Sequence, residues 1–216
     1  MEVSLIQYPA LNSNVSARAA AVSTGTKNTD KALQSAMKSG HTSVLEHENY
    51  TFEIKGVSRV LLAQLTRHRI ASFTVKSQRY VDHSDVAIHM PASIAQDDKA
   101  RDIYLRTAGA ANKAYRDLLE MGIPKEDARY ILPQGITTDL IMTMNARELH
   151  HFFSLRCCNR AQAEIRELAD GMLSLCRQVS PEIFRNAGPT CITEGACHEA
   201  RSCGHPRTDL VTEETT

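Results

Sequence analysis

The sequence predicts a chain of mixed α and β structure, and three observations carry that reading. Residues 50–57 alternate apolar Tyr50, Phe52 and Ile54 with polar Thr51, Glu53 and Lys55, the two-residue period of a half-buried strand. Residues 99–121 place Ile103, Ala108, Ala111, Tyr115, Leu118 and Leu119 on the apolar face of a long helix. With 216 residues, 42% hydrophobic and 23% charged, the chain has the make-up of one globular domain able to bury a sizeable core.

Taken in order, residues 3–8 form a short strand that Pro9 ends. Residues 12–22 and 30–39 read as two Ala-rich helices, with Gly25 between them, Gly40 as a stop and Asp30 as a cap for the second. A turn follows at Gly40-His41-Thr42-Ser43, where Thr42 or Ser43 caps a short helix holding Glu46 and His47. After the strand at 50–57, Ser58 caps a helix expected to reach Arg69. Residues 73–81 are extended, residues 86–90 read as a short strand, and Pro91 opens a polar connection. Gly122 ends the long helix, and Pro124 starts the next, with Glu126 and Asp127 in its first turn. That helix carries Arg129, whose plainest role is an ion pair with Glu126 three residues back. Residues 136–144 are a strand, and 146–179 a helix with room for an interruption. Leu149, Phe152, Phe153, Ile165, Leu168 and Met172 supply its core stripe. From Ala187 onward periodicity vanishes while Gly, Pro, Cys and His rise.

Lys plus Arg equals Asp plus Glu at 25 each, so no overall field selects nucleic acid or an anionic membrane. No apolar run approaches the roughly 18 residues of a membrane span. Met1-Glu2-Val3-Ser4 lacks a basic segment followed by an apolar one, so no secretory signal is visible and the expected location is the cytoplasm. In that reducing compartment the six Cys are thiols or metal ligands before they are disulfides.

The basic groups are instead clustered. Arg67, His68 and Arg69 follow the apolar run 60–65, and three adjacent cationic side chains repel one another. A helix C-terminus offsets part of that repulsion, and an anion among them would offset more. Further on, Ser77 and Arg79 share one side of an extended segment. Taken alone, a solvated cationic helix end followed by an edge strand also accounts for the triplet.

The spacing Arg67-His68-Arg69, seven residues, Ser77, one residue, Arg79 resembles the signature of flavin-dependent thymidylate synthases. Ile70-Ala71-Ser72 and Tyr80 look like that family too, as do His41-Thr42-Ser43-Val44-Leu45-Glu46-His47, Ala128-Arg129-Tyr130-Ile131-Leu132-Pro133 and Asn145-Ala146-Arg147. Leu155-Arg156 and Glu164-Ile165-Arg166 complete a resemblance running from about Ser4 to about Pro189. It implies an α+β fold, a mainly antiparallel sheet flanked by helices in a single domain. A catalytic domain would span 1–189 and a Cys/His-containing tail 190–216.

The activity implied is reductive methylation of dUMP to dTMP. Methylenetetrahydrofolate gives the carbon, FAD carries the hydride and NADPH is the reductant. The implied assembly is a homotetramer with sites at subunit interfaces. Carried over by motif, dUMP meets Gln64, Arg67, Ser77, Gln78, Arg79, Arg129 and Arg156. FAD meets Ser43, Glu46, Arg67, His68, Arg69, Asn145, Arg147 and His151. His68 and Arg156 are the implied catalytic pair: His68 near the flavin ring, Arg156 assisting ionisation at the pyrimidine N3. A guanidinium suits that task because it keeps its proton while negative charge builds on the ring. The family needs no enzyme nucleophile, so Ser77 is expected to bind nucleotide.

Two positions depart from the family pattern. Val75 stands where Glu is usual, and His151 where Asn is frequent. On the helix, Arg147 and His151 share a face, while Arg156 lies about half a turn away in phase, an arrangement suited to serving sites on two subunits. In the tail, Cys191, Cys197 and Cys203 recur every six residues beside His198 and His205, wider than the usual pairing of zinc ligands, so buried or free thiols are the expectation there. A second class of function, nucleotide or RNA binding through the Arg clusters, lacks the expected stacking platform. Aromatics are 5% and Trp is absent.

Overall fold

The structure, a computed structural model, describes residues 1–10 and 14–211. Its elements in order are β1 (Glu2–Gln7), α1 (Val15–Thr24), α2 (Thr29–Lys38), a 3-10 turn (Thr42–His47), β2 (Asn49–Ser58), α3 (Arg59–Leu65) and β3 (Ala71–Val75). There follow α4 (Ala92–Ala95), α5 (Asp98–Glu120), α6 (Lys125–Ala128), a 3-10 turn (Arg129–Ile131), β4 (Thr137–Asn145), α7 (Ala146–Arg156) and α8 (Ala163–Val179). Last come α9 (Pro181–Phe184), α10 (Thr190–Thr193) and a 3-10 turn (Thr208–Leu210). Four strands form one antiparallel sheet in the order β1-β2-β4-β3, so the fold is α+β as expected. The expected start of the first helix at Asn12 lies outside the described residues.

The chain forms two compact units. The first holds Met1–Glu2, Ile54–Arg67 and Thr74–Leu140; the second holds Val3–Glu53, His68–Phe73 and Ile141 onward. The change in composition near residue 189 is thus not where the compact units divide.

In the first unit Ser58 caps α3, its Oγ accepting the Leu61 N–H at 3.0 Å, worth about 1 kcal/mol. The helix stops at Leu65 rather than Arg69. Thr66 turns its hydroxyl back onto the Leu62 carbonyl at 3.0 Å, a local bond that competes with helix continuation. Gly122, at φ +82°, supplies the left-handed residue that reverses the chain after α5. The expected strand at 86–90 is only a single antiparallel bridge, Ile88 to Ile136. The extended segment after Phe73 ends with β3, and 77–81 is a turn closed by Val81 N–H on the Ser77 carbonyl at 3.1 Å.

In the second unit the cap of α2 is Asn28, not Asp30; its side chain accepts the Lys31 N–H, and Asp30 sits within the first turn. The turn at 42–47 has no side-chain cap. Tyr50 and Phe52 are buried, with the Tyr50 hydroxyl donating to Ser180 Oγ at 2.8 Å. The helix at 146–179 is broken into α7 and α8. Its break has a physical cause: Arg207, from the tail, donates to the Cys157 carbonyl at 2.6 Å, and Ala161 N–H turns to Cys158 instead. Gln162 then caps α8 on Ile165.

Candidate functional site

In the first unit a cavity of about 490 Å³ is walled by Arg59, Leu62, Gln78, Arg129, Tyr130 and Gln134, among others. Backbone bonds from Arg59 to Ile136 (3.1 Å) and from Val60 to Gln134 (3.3 Å) set the first turn of α3 against the chain leading into β4. Arg59 is the residue that sequence reasoning missed. Its Nη2 donates to the Lys76 carbonyl at 3.1 Å, while its Nε is buried without a hydrogen-bond partner. Burial, with the Arg129 charge adding to it, lowers the Arg59 guanidinium below its ordinary range. Two guanidiniums in one cavity, one with an unanswered buried N–H, fit an anion with several oxygens, which the donor set would complete.

Of the residues expected to meet the nucleotide, this cavity gathers Gln78 and Arg129. Arg129 does not pair with the Glu126 carboxylate as its spacing suggested; its Nε takes the Glu126 carbonyl at 3.0 Å. The carboxylate pairs with Arg79 at 2.7 Å, and both side chains are about half exposed. Ser77 Oγ accepts the Arg79 N–H at 3.2 Å, a turn bond. Gln64 is half-buried and Arg67 exposed on and just after α3, and neither lines the cavity.

The second unit carries the remaining expected residues. Asn145 ends β4 and caps α7, accepting the Glu148 N–H at 2.9 Å. A cavity of about 520 Å³ is lined by Thr42, Glu46, Ile70, Asn145, Arg147, Glu148 and His151. Arg147 makes an ion pair with Glu46 across it. Four of the expected flavin residues thus converge: Glu46, Asn145, Arg147 and His151. Ser43 and Arg69 are exposed and do not line it.

Beside this cavity, His68 is 4% exposed and engaged at both ring nitrogens. Arg156 Nε donates to Nε2 at 3.1 Å, and Nδ1 lies 3.2 Å from Glu148 Oε1. A guanidinium can only donate, so Nε2 must carry the lone pair and Nδ1 the proton, which it gives to Glu148. The tautomer is therefore fixed and the ring neutral. Burial lowers the His68 pKa below its ordinary value; the Glu148 hydrogen bond works against that, and the Arg156 charge reinforces it. Phe152 and His151 meet the ring edge-on at 5.0 and 5.8 Å between centroids.

Glu148 was not foreseen, because a Glu in the first turn of a helix is explained by the helix dipole alone. His68, Glu148 and His151 bring three ligand atoms within 4.8 Å of one another. Both nitrogens of His68 are already engaged, and the Arg156 charge opposes a second cation, so this group suits a held imidazole better than a metal ion. Arg156 and His151 were expected to face different directions; here both approach His68 in the same chain.

The family described as "Thymidylate synthase complementing protein" matches residues 4–182. A flavin-dependent thymidylate synthase of Geobacter sulfurreducens is 50% identical over 175 residues, covering 80% of this chain and 75% of that protein. One from Nitratidesulfovibrio vulgaris is 47% identical over 182 residues, covering 80% and 74%. Among solved structures, a flavin-dependent thymidylate synthase from Helicobacter pylori, complexed with FAD and dUMP, matches with a TM-score of 0.70 and 29% identity. It covers 87% of this chain and 100% of that one.

Proposed function

This chain belongs to the flavin-dependent thymidylate synthase family, and from that premise we infer how its residues divide the work of making dTMP from dUMP. The observation that carries the reading is the pair of donor sets: an oxyanion cradle at Arg59, Arg129 and Gln78, and a fixed neutral imidazole at His68.

The dUMP phosphate is taken by Arg59 and Arg129, with Gln78 beside them. The unanswered Arg59 Nε supports this, because a phosphate oxygen is the acceptor it lacks. Ser77, Arg79, Gln64 and Arg67 complete the nucleotide contacts. Arg79 must release Glu126 to do so, at little cost, since an exposed ion pair is worth about 0–1 kcal/mol.

The residues lining the second cavity fit FAD: Arg147 offers a guanidinium, and Asn145 and His151 offer hydrogen bonds. Glu46, Ser43, Arg67 and Arg69 complete that set. When bound, FAD supplies the hydride carrier, with NADPH as reductant and methylenetetrahydrofolate as carbon donor. His68 is presented to the flavin as a neutral ring of one tautomer, held by Glu148. Arg156, oriented by its bond to His68 Nε2, stabilises negative charge at the pyrimidine N3 while keeping its own proton. Ser77 binds rather than attacks. The working assembly is a homotetramer in the cytoplasm, with a catalytic region over 1–189. Family membership sets aside the RNA-binding alternative.

The test is spectroscopic. Purified protein should bind FAD and show flavin absorbance, and under anaerobic conditions NADPH should bleach it, faster with dUMP present. A folded protein that binds no added FAD, and makes no dTMP from the complete mixture, would refute the assignment.

A further inference from the structure

Four of the chain's six cysteines, Cys158, Cys191, Cys197 and Cys203, line one cavity of about 370 Å³ in the second unit. The other two, Cys157 and Cys176, are fully buried, and burial pushes both thiols far above their usual range. Core packing, the ordinary reason for a free cysteine, accounts for those two. It does not account for the four in the cavity, which are half-buried or exposed.

The backbone around them is organised. Asn159 Nδ2 donates to the His205 carbonyl at 2.7 Å and Arg160 Nη1 to the Arg201 carbonyl at 2.8 Å. The segment just after α7 thereby holds the tail. Two sulfurs accept a backbone N–H from the residue two positions on: Arg160 to Cys158 at 3.5 Å and His205 to Cys203 at 3.4 Å. These bonds fix where the two sulfurs sit, and the Cys203 thiol in turn donates to the His205 carbonyl at 3.4 Å. Gly195 and Gly204, at φ +67° and +74°, turn the chain beside Cys197 and Cys203. That folding-back lets cysteines six residues apart reach one cavity.

We propose that Cys158, Cys191, Cys197 and Cys203 form a structural zinc site that fastens the C-terminal tail to the segment following Arg156. Four thiolates suit zinc in a closed tetrahedral set with no position left for substrate. The sulfurs are not already gathered to that radius. Among the described residues only His68, Glu148 and His151 bring three ligand atoms within 4.8 Å of one another. The ion closes the site by drawing the half-exposed tail segments together. His198 stays outside the set because its Nε2 faces Glu194 at 3.2 Å. None of the expected nucleotide or flavin residues lines this cavity, and the proposal does not depend on their roles.

The experiment measures zinc by mass spectrometry in full-length protein purified without a metal column. About one zinc per chain is expected. Cys197→Ser and Cys203→Ser should lower occupancy about tenfold or more, while His198→Ala keeps it. Cobalt(II) added to wild-type protein should give thiolate charge-transfer bands and intense tetrahedral d–d bands, whether or not the variants fold. Folded wild-type protein with neither zinc nor cobalt–thiolate bands would overturn the proposal. So would zinc retained by all four single Cys→Ser variants, zinc lost in His198→Ala, or the visible spectrum of an iron tetrathiolate.

Discussion

Replacing Glu148 tests the fixed imidazole directly. In Glu148→Leu the Nδ1–H of His68 loses its acceptor at a position 4% exposed, and Arg156 prevents the other nitrogen from taking the proton. A buried unsatisfied donor costs about 1–3 kcal/mol. For a chain of 216 residues that lowers Tm by about 2–12 °C, at about 2–4 °C per kcal/mol. Glu148→Gln is the control. It keeps an acceptor of nearly the same shape and loses only the charge, which also removes the helix-dipole benefit of about 0.3–1 kcal/mol. The difference between Leu and Gln therefore isolates the orphaned N–H. The ring can relieve the strain only by flipping or changing tautomer, and either move breaks the Arg156 bond. Glu148→Leu should thus lose dTMP synthesis well beyond its loss of stability, and Glu148→Gln much less. Thermal unfolding and steady-state dTMP formation are the assays. If Glu148→Leu melts and turns over like wild type, Glu148 does not hold His68.

Arg156→Lys should keep the fold yet lose most dTMP synthesis, since Lys keeps charge without the planar fork; wild-type turnover would refute the role. Arg59→Leu should weaken dUMP binding about 10–100-fold, the worth of one charge-assisted bond, with unfolding little changed; calorimetric titration showing unaltered affinity would remove Arg59 from the phosphate site. His68 and His150 both have folded pKa values lowered chiefly by burial. The unfolded chain therefore binds more protons as pH falls from about 6.5 through the folded values. Stability should be full above about pH 7 and decline below it, by up to about 1.4 kcal/mol per pH unit for each histidine; urea midpoints flat from pH 7.5 to 5.5 would contradict this. Light scattering should give a tetramer of four 23.9 kDa chains. Mixed refolding of His68→Ala with Arg156→Ala should leave activity at background, because the two side chains meet within one chain.

Much of the fold was legible because local chemistry and tertiary packing agreed. The alternation of Tyr50, Phe52 and Ile54 is the buried face of β2, and Ser58 caps α3 as its position suggested. An interruption in the helix over 146–179 was allowed for, but its place was not legible, since Cys157-Cys158-Asn159-Arg160 holds neither Gly nor Pro. Its cause is a guanidinium fifty residues away. Arg59 and Glu148 escaped for different reasons. The helix dipole alone explains a Glu in the first turn of α7, so only its bond to His68 marks Glu148; nothing in the spacing marks Arg59 at the start of α3, and only its buried Nε does. The family signature pointed to Gln78, Arg129, Asn145, Arg147 and His151, which do line cavities, but spacing alone could not place Arg156 on His68.

The grip of Arg207 on the end of α7 bears on how this protein can be shortened. The family match stops at residue 182, so a cut near 189 looks harmless on alignment. Such a cut would remove a guanidinium that is 8% exposed and bound to both the Cys157 carbonyl and Asp170, the latter at 2.9 Å. Its loss leaves a buried carbonyl bare one residue past Arg156, at the end of the helix that aims that side chain. Alignment boundaries mark shared ancestry; the mechanical boundary of this enzyme lies about twenty-five residues later, and truncation series should be designed around it.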